Sequence, residues 1–469
     1  MESNRDQIKI TMAIVMLASF LTPFLSNAIN LAIPLISKEF GATQSLMNWV
    51  LTSFLISTAA CLLPFGQLAD QYGRKRIFLS GMILLAVSSL GCALAPSIII
   101  LIIFRVVQGI ASGMVLGNSM AILTSAIPPE SRGKALGFNS AMTYIGLSCS
   151  PVIGGFFSNT LGWRSLFYLH MIVAAFTIVL TVWKFDGEWK SGPSKLDSGG
   201  IALCIIAQVL LLFGLTKLAA SLLYQISFAL GIIILIAFFH HEKRCQNPII
   251  PVDSIMKNNQ FVFSTLATLI NYSATFALSF LLSLYLQAVL NLDVTIAGLI
   301  LLVQPVLMAV LSPVTGTLSD RFQPTILASL GMGITALGLF FFIFISTETP
   351  IMLIILNLTF IGIGFAFFTS PNMNSIMSSA DKTLYGVASS IVGNMRLLGQ
   401  SISMAVVALI TSVIVGNLSI GSPGYVDKLM PSIRLSFMVF TVLCLLGIKV
   451  GRLGYSNSGY AHNKKLKNF

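Results

Sequence analysis

The chain has 469 residues, of which 56% are hydrophobic and only 9% charged, with a formal net charge of +12. A soluble domain carries roughly 25% charged residues, so a fold of this size would lack the polar surface to stay in water, which excludes a soluble enzyme or binding module. The bases lie in short breaks between apolar runs instead of on one face, which sets aside a nucleic-acid partner and reads as membrane topology.

The apolar runs last about 20 residues, where barrel strands would alternate over about 10, so helices are the expected spanning unit. In chain order they are predicted near 10–36, 46–70, 77–95, 97–124, 133–159, 164–183, 198–217, 221–239, 260–288, 294–319, 324–346, 350–377, 383–415 and 431–450, fourteen in all. The opening MESNRDQIKI is polar and the run after it is long enough to span, so no cleavable signal is expected. With the N-terminus placed in the cytoplasm, twenty Lys and Arg residues fall on the inner side and five (Lys38, Arg164, Lys217, Lys428 and Arg434) on the outer side. This imbalance predicts the orientation in the cell membrane, and the even span count returns the C-terminus to the cytoplasm. The two remaining bases, Arg105 and Arg396, lie inside spans 4 and 13.

The stretch GQLADQYGRKR at 66–76, between spans 2 and 3, has an echo, GTLSDRFQPT, at 316. Gly66 and Gly316, and Asp70 and Asp320, are 250 residues apart; Gly109 and Gly362, and Gly146 and Gly399, are 253 apart. These offsets imply a duplicated six-helix unit. The expected division is 1–189 for an N-terminal bundle, 190–257 for a two-helix insert (spans 7 and 8) with its loops, and 258–469 for a C-terminal bundle. Parallel repeats of this kind mark secondary transporters, which bind a small molecule near the midplane between the halves. One chain holding both halves encloses a complete pathway, so a monomer is expected.

Arg105 sits within span 4, where a central Arg costs about 2.5–3.5 kcal/mol on insertion scales and needs a partner or a cavity. Gln108 lies one turn on. Two readings stand: Arg105 binds substrate or tunes a protonatable partner, or it is structural glue to span-1 carbonyls or to Asn27 and Asn30. Arg396, with Gln400 one turn away, is a candidate substrate contact in span 13. No Asp or Glu lies near the middle of any predicted span. A neutral or positive cavity follows, favouring anionic, zwitterionic or neutral substrates over lipophilic cations.

Polar residues near the midplane are Asn27, Asn30, Tyr144, Asn271, Tyr272, Gln304, Asn357 and Asn394. Each can serve as an interhelical hydrogen bond or as a ligand contact; Asn27 and Asn30 share a helix face and are the preferred pair. His170 in span 6 is a proton carrier or a satisfied buried histidine; His240 and His241 read as interfacial. The six cysteines are scattered without a CxxC spacing and read as apolar fillers, so no metal site is expected. No cofactor is expected, and no GxxxxGK[ST] loop is present for a nucleotide.

Several motifs carry a family resemblance. GQLADQYGRKR resembles the loop 2–3 signature of the major facilitator superfamily, Gly-x-x-x-Asp-x-x-Gly-Arg-Lys-Arg, at Gly66, Asp70, Gly73, Arg74, Lys75 and Arg76. FRVVQGIASG is similar to the span-4 signature Arg-x-x-Gln-Gly at Arg105, Gln108 and Gly109. IGLSCSPVIGG resembles the antiporter signature of span 5 at Gly146, Pro151, Gly154 and Gly155, with Ser150 where the family has glycine. GWRSLF and HEKRCQNPII are similar to its fourteen-span branch, the drug:proton antiporters that include multidrug, quaternary-ammonium and tetracycline exporters. The resemblance covers essentially the whole chain. In span 1, FLSNAINLAIP keeps Asn30, Ala32 and Pro34 of the branch pattern but has Leu25 in place of its embedded Asp.

The resemblance implies the major facilitator fold: an all-α integral membrane protein of two six-helix bundles plus two inserted helices. It implies secondary active efflux of small amphipathic compounds by alternating access, in exchange for protons. The alternatives are a non-proton-coupled facilitator or exporter of a specific metabolite, lipid or peptide, and a transport-dead sensor. It also implies a conformational latch. Asp70 would reach the N-terminus of span 13, around Thr383–Gly386, where unpaired N–H groups attract an anion. Arg74 would pair with Asp70 or Glu130, Arg76 would add to the basic turn, and Gly66 and Gly73 would permit close packing. Such contacts favour the outward-open state. Gly146, Pro151, Gly154 and Gly155 would bend span 5 as a hinge or seal between the halves, or simply pack it closely. Thr369–Asn372 is expected to break span 12 similarly.

Overall fold

The computed structural model describes residues 2–185, 187–190, 197–218, 221–416 and 424–466. Fourteen segments are long and apolar enough to cross a membrane. Spans 1–6 are Asp6–Asn30, Leu46–Tyr72, Arg74–Ala93, Ile98–Ala126, Pro129–Ser158 and Arg164–Lys184. Spans 7 and 8 are Ser198–Thr216 and Leu222–Glu242. Spans 9–14 are Asn259–Val289, Thr295–Arg321, Pro324–Phe342, Ile351–Ser379, Lys382–Ile414 and Tyr425–Gly451. The fourteen expected helices are thus present in the expected order. Large apolar side chains such as Val87, Ile103, Phe176, Ile236, Val310 and Val413 stay exposed on the outside of the bundle, as a lipid-facing surface requires.

Helix starts follow capping chemistry. Ser97, Asp197, Ser221, Asn258 and Asp293 each cap a span with a side-chain oxygen. Span 10 is two helices, Val294–Leu301 and Val303–Arg321. The break lies four residues before Pro305, whose ring would meet the carbonyl of Leu301. Span 9 breaks after Thr275, and the Ala277 amide is satisfied by Ser403 Oγ at 3.0 Å. Span 12, by contrast, stays one helix, Ile351–Ser379, through Pro371, which corrects the break expected at Thr369–Asn372. There Asn372 Nδ2 donates to Ser264 O and Thr268 Oγ1 of span 9, the kind of neighbouring support that lets a spanning helix tolerate proline. Span 5 is also helical through Pro151.

Packing repeats with the sequence. In the first bundle, span 1 packs on spans 5 and 6, span 2 on span 4, and span 3 on spans 4 and 6. In the second, span 9 packs on spans 13 and 14, span 10 on span 12, and span 11 on spans 12 and 14. Between them, span 5 meets span 10 and span 13 meets span 2, while span 4 meets span 13 and span 12 meets span 5. Every pairing has its image eight spans on, which is a two-fold relation between the halves. Spans 7 and 8 pack on each other through Gly214 and Gly231, where a Cβ would lie 2.6 Å from Phe228 N and 2.7 Å from Leu211 N. Span 7 then covers the seam of spans 2 and 13, through Leu212 and Leu215 beside Ala59 and Ala405.

Candidate functional site

Both termini lie on one face of the bundle, called here the terminal face. At this face Asp70 lies in the last turn of span 2, four residues before Arg74 opens span 3. Gly73 joins the two helices at φ +120°, a conformation other residues rarely adopt. Asp70 Oδ1 accepts from Gly386 N and Oδ2 from Val387 N, both at 3.0 Å, so the carboxylate caps span 13. Arg74 pairs with Asp70 at 2.7 Å and donates to Ser125 Oγ at 2.5 Å and Lys382 O at 2.8 Å. Both side chains are buried, so this ion pair is favourable only because its remaining hydrogen-bonding groups are also matched. Gly66 meets span 13 so closely that a Cβ would sit 2.2 Å from Ser390 Oγ.

Glu130 takes no part. It lies exposed on the turn Pro129–Ser131 and forms no ion pair among the described residues. The acid beside the basic turn Gly73–Arg76 is Glu188, whose carboxylate accepts from Lys75 N at 3.0 Å and lies 3.7 Å from Arg76 Nε. A second contact across the seam mirrors the first. Asp320 accepts from Gly133 N at 2.6 Å and Lys134 N at 2.8 Å, capping span 5 from span 10. The 250-residue echo of Asp70 was the signal for it in the sequence.

Behind the latches a cavity of about 780 Å³, counting its open mouth, lies between the halves. Ser19, Asn139, Tyr144, Tyr272, Asn372 and Arg396 are among its walls. Arg396 is ten residues past Gly386, about 15 Å further along the helix of span 13. It is the one charged side chain in the lining, and no carboxylate pairs with it among the described residues. Tyr144 bridges the halves through Thr369 Oγ1 at 3.0 Å, and Ser19 donates to Asn139 Oδ1 at 2.8 Å. Ser19, Asn139, Thr268, Thr369 and Asn372 escape a reading that weighs only midplane amides and charges, because isolated hydroxyls and amides recur throughout the chain.

The other candidates lie elsewhere. Arg105 is 1% exposed and outside the cavity. Its Nε donates to Val50 O of span 2 at 2.9 Å, its Nη1 to Gln108 Oε1 at 2.5 Å, and its guanidinium stacks over Phe54. Gln108 donates to Ser89 Oγ, which lies 2.8 Å from His170 Nδ1. The arginine is glued to span 2, not to span 1. Asn27 donates to Leu147 O of span 5, and Asn30 is exposed. Asn357 donates to Gly338 O, and Gln304 is buried beside Gly362 within the second bundle. Asn271 and Asn394 are buried without a side-chain hydrogen bond among the described residues. Gln400 is half-buried outside the lining.

Of the span-5 signature glycines, Gly146 and Gly154 face span 1. A Cβ on Gly146 would lie 2.7 Å from Phe20 O, one on Gly154 2.8 Å from Ala28 Cβ, and one on Gly155 meets nothing within 4 Å. The close approach of span 5 to the other half is at Gly133 and Gly137, which meet Gly316, Ser312 and Pro313 of span 10. At the opposite face, Glu39 binds Trp163 Nε1 at 2.7 Å and Arg164 at 2.6 Å. These hydrogen bonds, Arg164 first, hold the Glu39 carboxyl below the usual carboxylate range.

The chain is similar to known transporters. A family model described as the Major Facilitator Superfamily matches residues 15–404 and 264–457. The riboflavin transporter RibZ of Clostridioides difficile is 27% identical over 84% of this chain and 86% of its own. The multidrug resistance protein Stp of Mycobacterium tuberculosis is 26% identical over 91% of this chain and 80% of its own. The fold is shared with the human organic anion transporter MFSD10, with a TM-score of 0.66, 14% identity and coverage of 96% and 99%. With the family model spanning well over half of the sequence, and with two repeats packed about a shared cavity, the chain belongs to the Major Facilitator Superfamily, whose members are membrane transporters and not enzymes.

Proposed function

We propose that the protein is a secondary active exporter of small amphipathic compounds that works by alternating access as a monomer, with its terminal face in the cytoplasm. The observation that carries this is Arg396. A guanidinium with no carboxylate partner among the described residues lines a cavity between the halves, beside the Asp70 and Asp320 contacts that would close its terminal face. A lone positive charge in a low-dielectric chamber attracts anionic or zwitterionic compounds and repels lipophilic cations. Similarity to a multidrug resistance protein and a riboflavin transporter supports an organic cargo with an aromatic or apolar body. Exchange for protons follows from the antiporter resemblance.

A second reading, uncoupled facilitated export, is favoured by one observation. Leu25 stands buried in an apolar cluster where the branch has its acid, and no carboxylate lines the cavity among the described residues. Proteoliposomes with an imposed pH gradient and a trapped pH dye separate the two. A lipophilic cation, a tetracycline-like zwitterion and an organic anion form the panel. Proton movement driven by the anion or zwitterion supports exchange. Passage of labelled anion without proton movement supports the facilitator. Proton movement driven by the cation alone overturns the role given to Arg396.

A further inference from the structure

The insert carries a cluster that the transport pathway does not use. Asp197 caps span 7 through Gly200 N at 2.9 Å, and His241 Nε2 lies 2.9 Å from Asp197 Oδ2. Cys245 follows one turn after His241, and one ligand atom from each of the three lies within 4.8 Å of the others. The carboxylate of Asp197 is 7% exposed, while the imidazole is 40% exposed and gives solvent a route in. Lys243 and Arg244, between His241 and Cys245, are exposed.

Two further features frame the cluster. Glu242 is 2% exposed; its Oε2 accepts from Ile250 N at 2.8 Å, but its Oε1 has no partner among the described residues. A buried, unmatched carboxylate oxygen is costly unless a cation or donor reaches it. Span 7 also begins with two glycines that leave room here. A Cβ on Gly200 would lie 2.4 Å from Asp197 Oδ2 and 2.6 Å from Glu242 Oε1, and one on Gly199 would lie 3.5 Å from His241 Nε2. The two carboxylate oxygens therefore face one small space, with the imidazole at its rim.

We propose that Asp197, His241 and Cys245 bind one divalent transition-metal ion of the zinc type, with Glu242 Oε1 as the fourth ligand. One nitrogen, one sulfur and two oxygens suit a borderline-soft ion better than calcium or magnesium, which prefer oxygen alone. Tetrahedral arms of about 2.0–2.3 Å place ligand atoms about 3.5 Å apart, which side-chain rotation would reach for the three atoms within 4.8 Å, with Glu242 Oε1 drawn in across the space beside Gly200. On binding, the Cys245 thiol gives its proton to solvent as the sulfur–metal bond forms, and His241 Nε2 exchanges its contact with Asp197 for the ion; nothing is oxidised or reduced. The sequence hides this site because its ligands come from the start of span 7 and the end of span 8, without a CxxC spacing.

The ion would staple the insert to the seam. The connector beyond Cys245 buries Ile249 and Ile250 in the cluster that holds Val387 and Ala388. Gln67 Nε2 donates to Pro248 O at 3.4 Å, one turn before Asp70. A clamp at residues 197–245 thus tightens the chain that packs beside the Asp70 latch.

The test uses the full chain in detergent micelles, stripped with chelator and titrated with Co²⁺. The expected result is uptake of one equivalent with a thiolate-to-cobalt charge-transfer band, lost again on adding Zn²⁺. Cys245→Ser should abolish the band, and His241→Gln should weaken uptake at least tenfold. Cys61→Ser, at a thiol in span 2, should leave both unchanged. No thiolate band in the natural protein, or a band that survives Cys245→Ser, overturns the proposal.

Discussion

The Asp70 carboxylate and the Gly386 amide, 316 residues apart in the chain, meet at 3.0 Å across the seam between the halves. Asp320 and Gly133 meet at 2.6 Å in the same way. The acids are 250 residues apart and the glycines 253, so the two contacts are images of one another under the repeat. Each places an anion on the open N–H groups of a helix N-terminus, where charge and hydrogen bonding act together. The Asp70→Asn substitution keeps the shape but leaves Arg74 buried without its counter-ion. Breaking a buried pair costs about 3–5 kcal/mol, and the bonds to Gly386 N and Val387 N across the seam weaken with it. Transport should fall sharply in an inserted, folded protein. A cysteine placed at Ser389, behind the latch, should be alkylated faster from the terminal face; an unchanged rate would remove the latch.

Gly316 tests the second seam. A Cβ there would lie 2.2 Å from Gly133 O and 2.9 Å from Gly137 Cα, and backbone cannot step aside. Overpacking costs about 1–3 kcal/mol. Gly316→Val should therefore impair transport, whereas Gly155→Val, with open space around it, should transport normally. The reverse pattern would return the seal to the span-5 signature.

Arg396→Gln removes the cavity's charge and keeps its polarity. Binding of an organic anion should weaken about tenfold, equivalent to about 1.4 kcal/mol, with little change for a neutral analogue. Equal weakening of both would make Arg396 a shape determinant instead of a charge site. Equilibrium binding to the detergent-solubilised protein decides it.

Arg105→Met separates glue from ligand contact. The Val50 carbonyl and the Gln108 side chain lose a charged donor, a loss worth about 1.5–3 kcal/mol each. Thermal stability should drop while substrate affinity holds. Weakened binding in a fully stable variant would place Arg105 back on the pathway.

The Glu39–Arg164 contact sets a pH dependence at the opposite face. The Glu39 carboxyl sits below its ordinary value of 4.5 because Arg164 and Trp163 bond its charged form. A depressed carboxyl contributes stability above its unfolded value and loses it as pH falls through the folded one. The difference in melting temperature between the natural protein and Glu39→Gln should hold steady from pH 8 to about pH 5 and shrink below about pH 4.5. The difference will be small, since both partners are substantially exposed. A difference that already shrinks between pH 7 and pH 5 would contradict the assignment.

The sequence by itself determined the fourteen spans and the duplicated unit. Hydropathy over about 20 residues is a local property, and the lipid forces each such run to satisfy its own backbone as a helix. It also carried the Asp70–Arg74 pair, because those residues are neighbours on one turn. Only the tertiary structure decided the partners. Arg105 and Arg396 are both embedded arginines, yet Val50 and Gln108 take up the first and the second is left facing the cavity. Gly154 meets span 1, Arg74 takes Asp70 and leaves Glu130 exposed, and His241 finds Asp197 across two helices. These outcomes depend on which face of each helix turns toward which neighbour. That rotation is set by close packing between helices, where side chains three or four residues apart point the same way whether they meet lipid, cavity or another span.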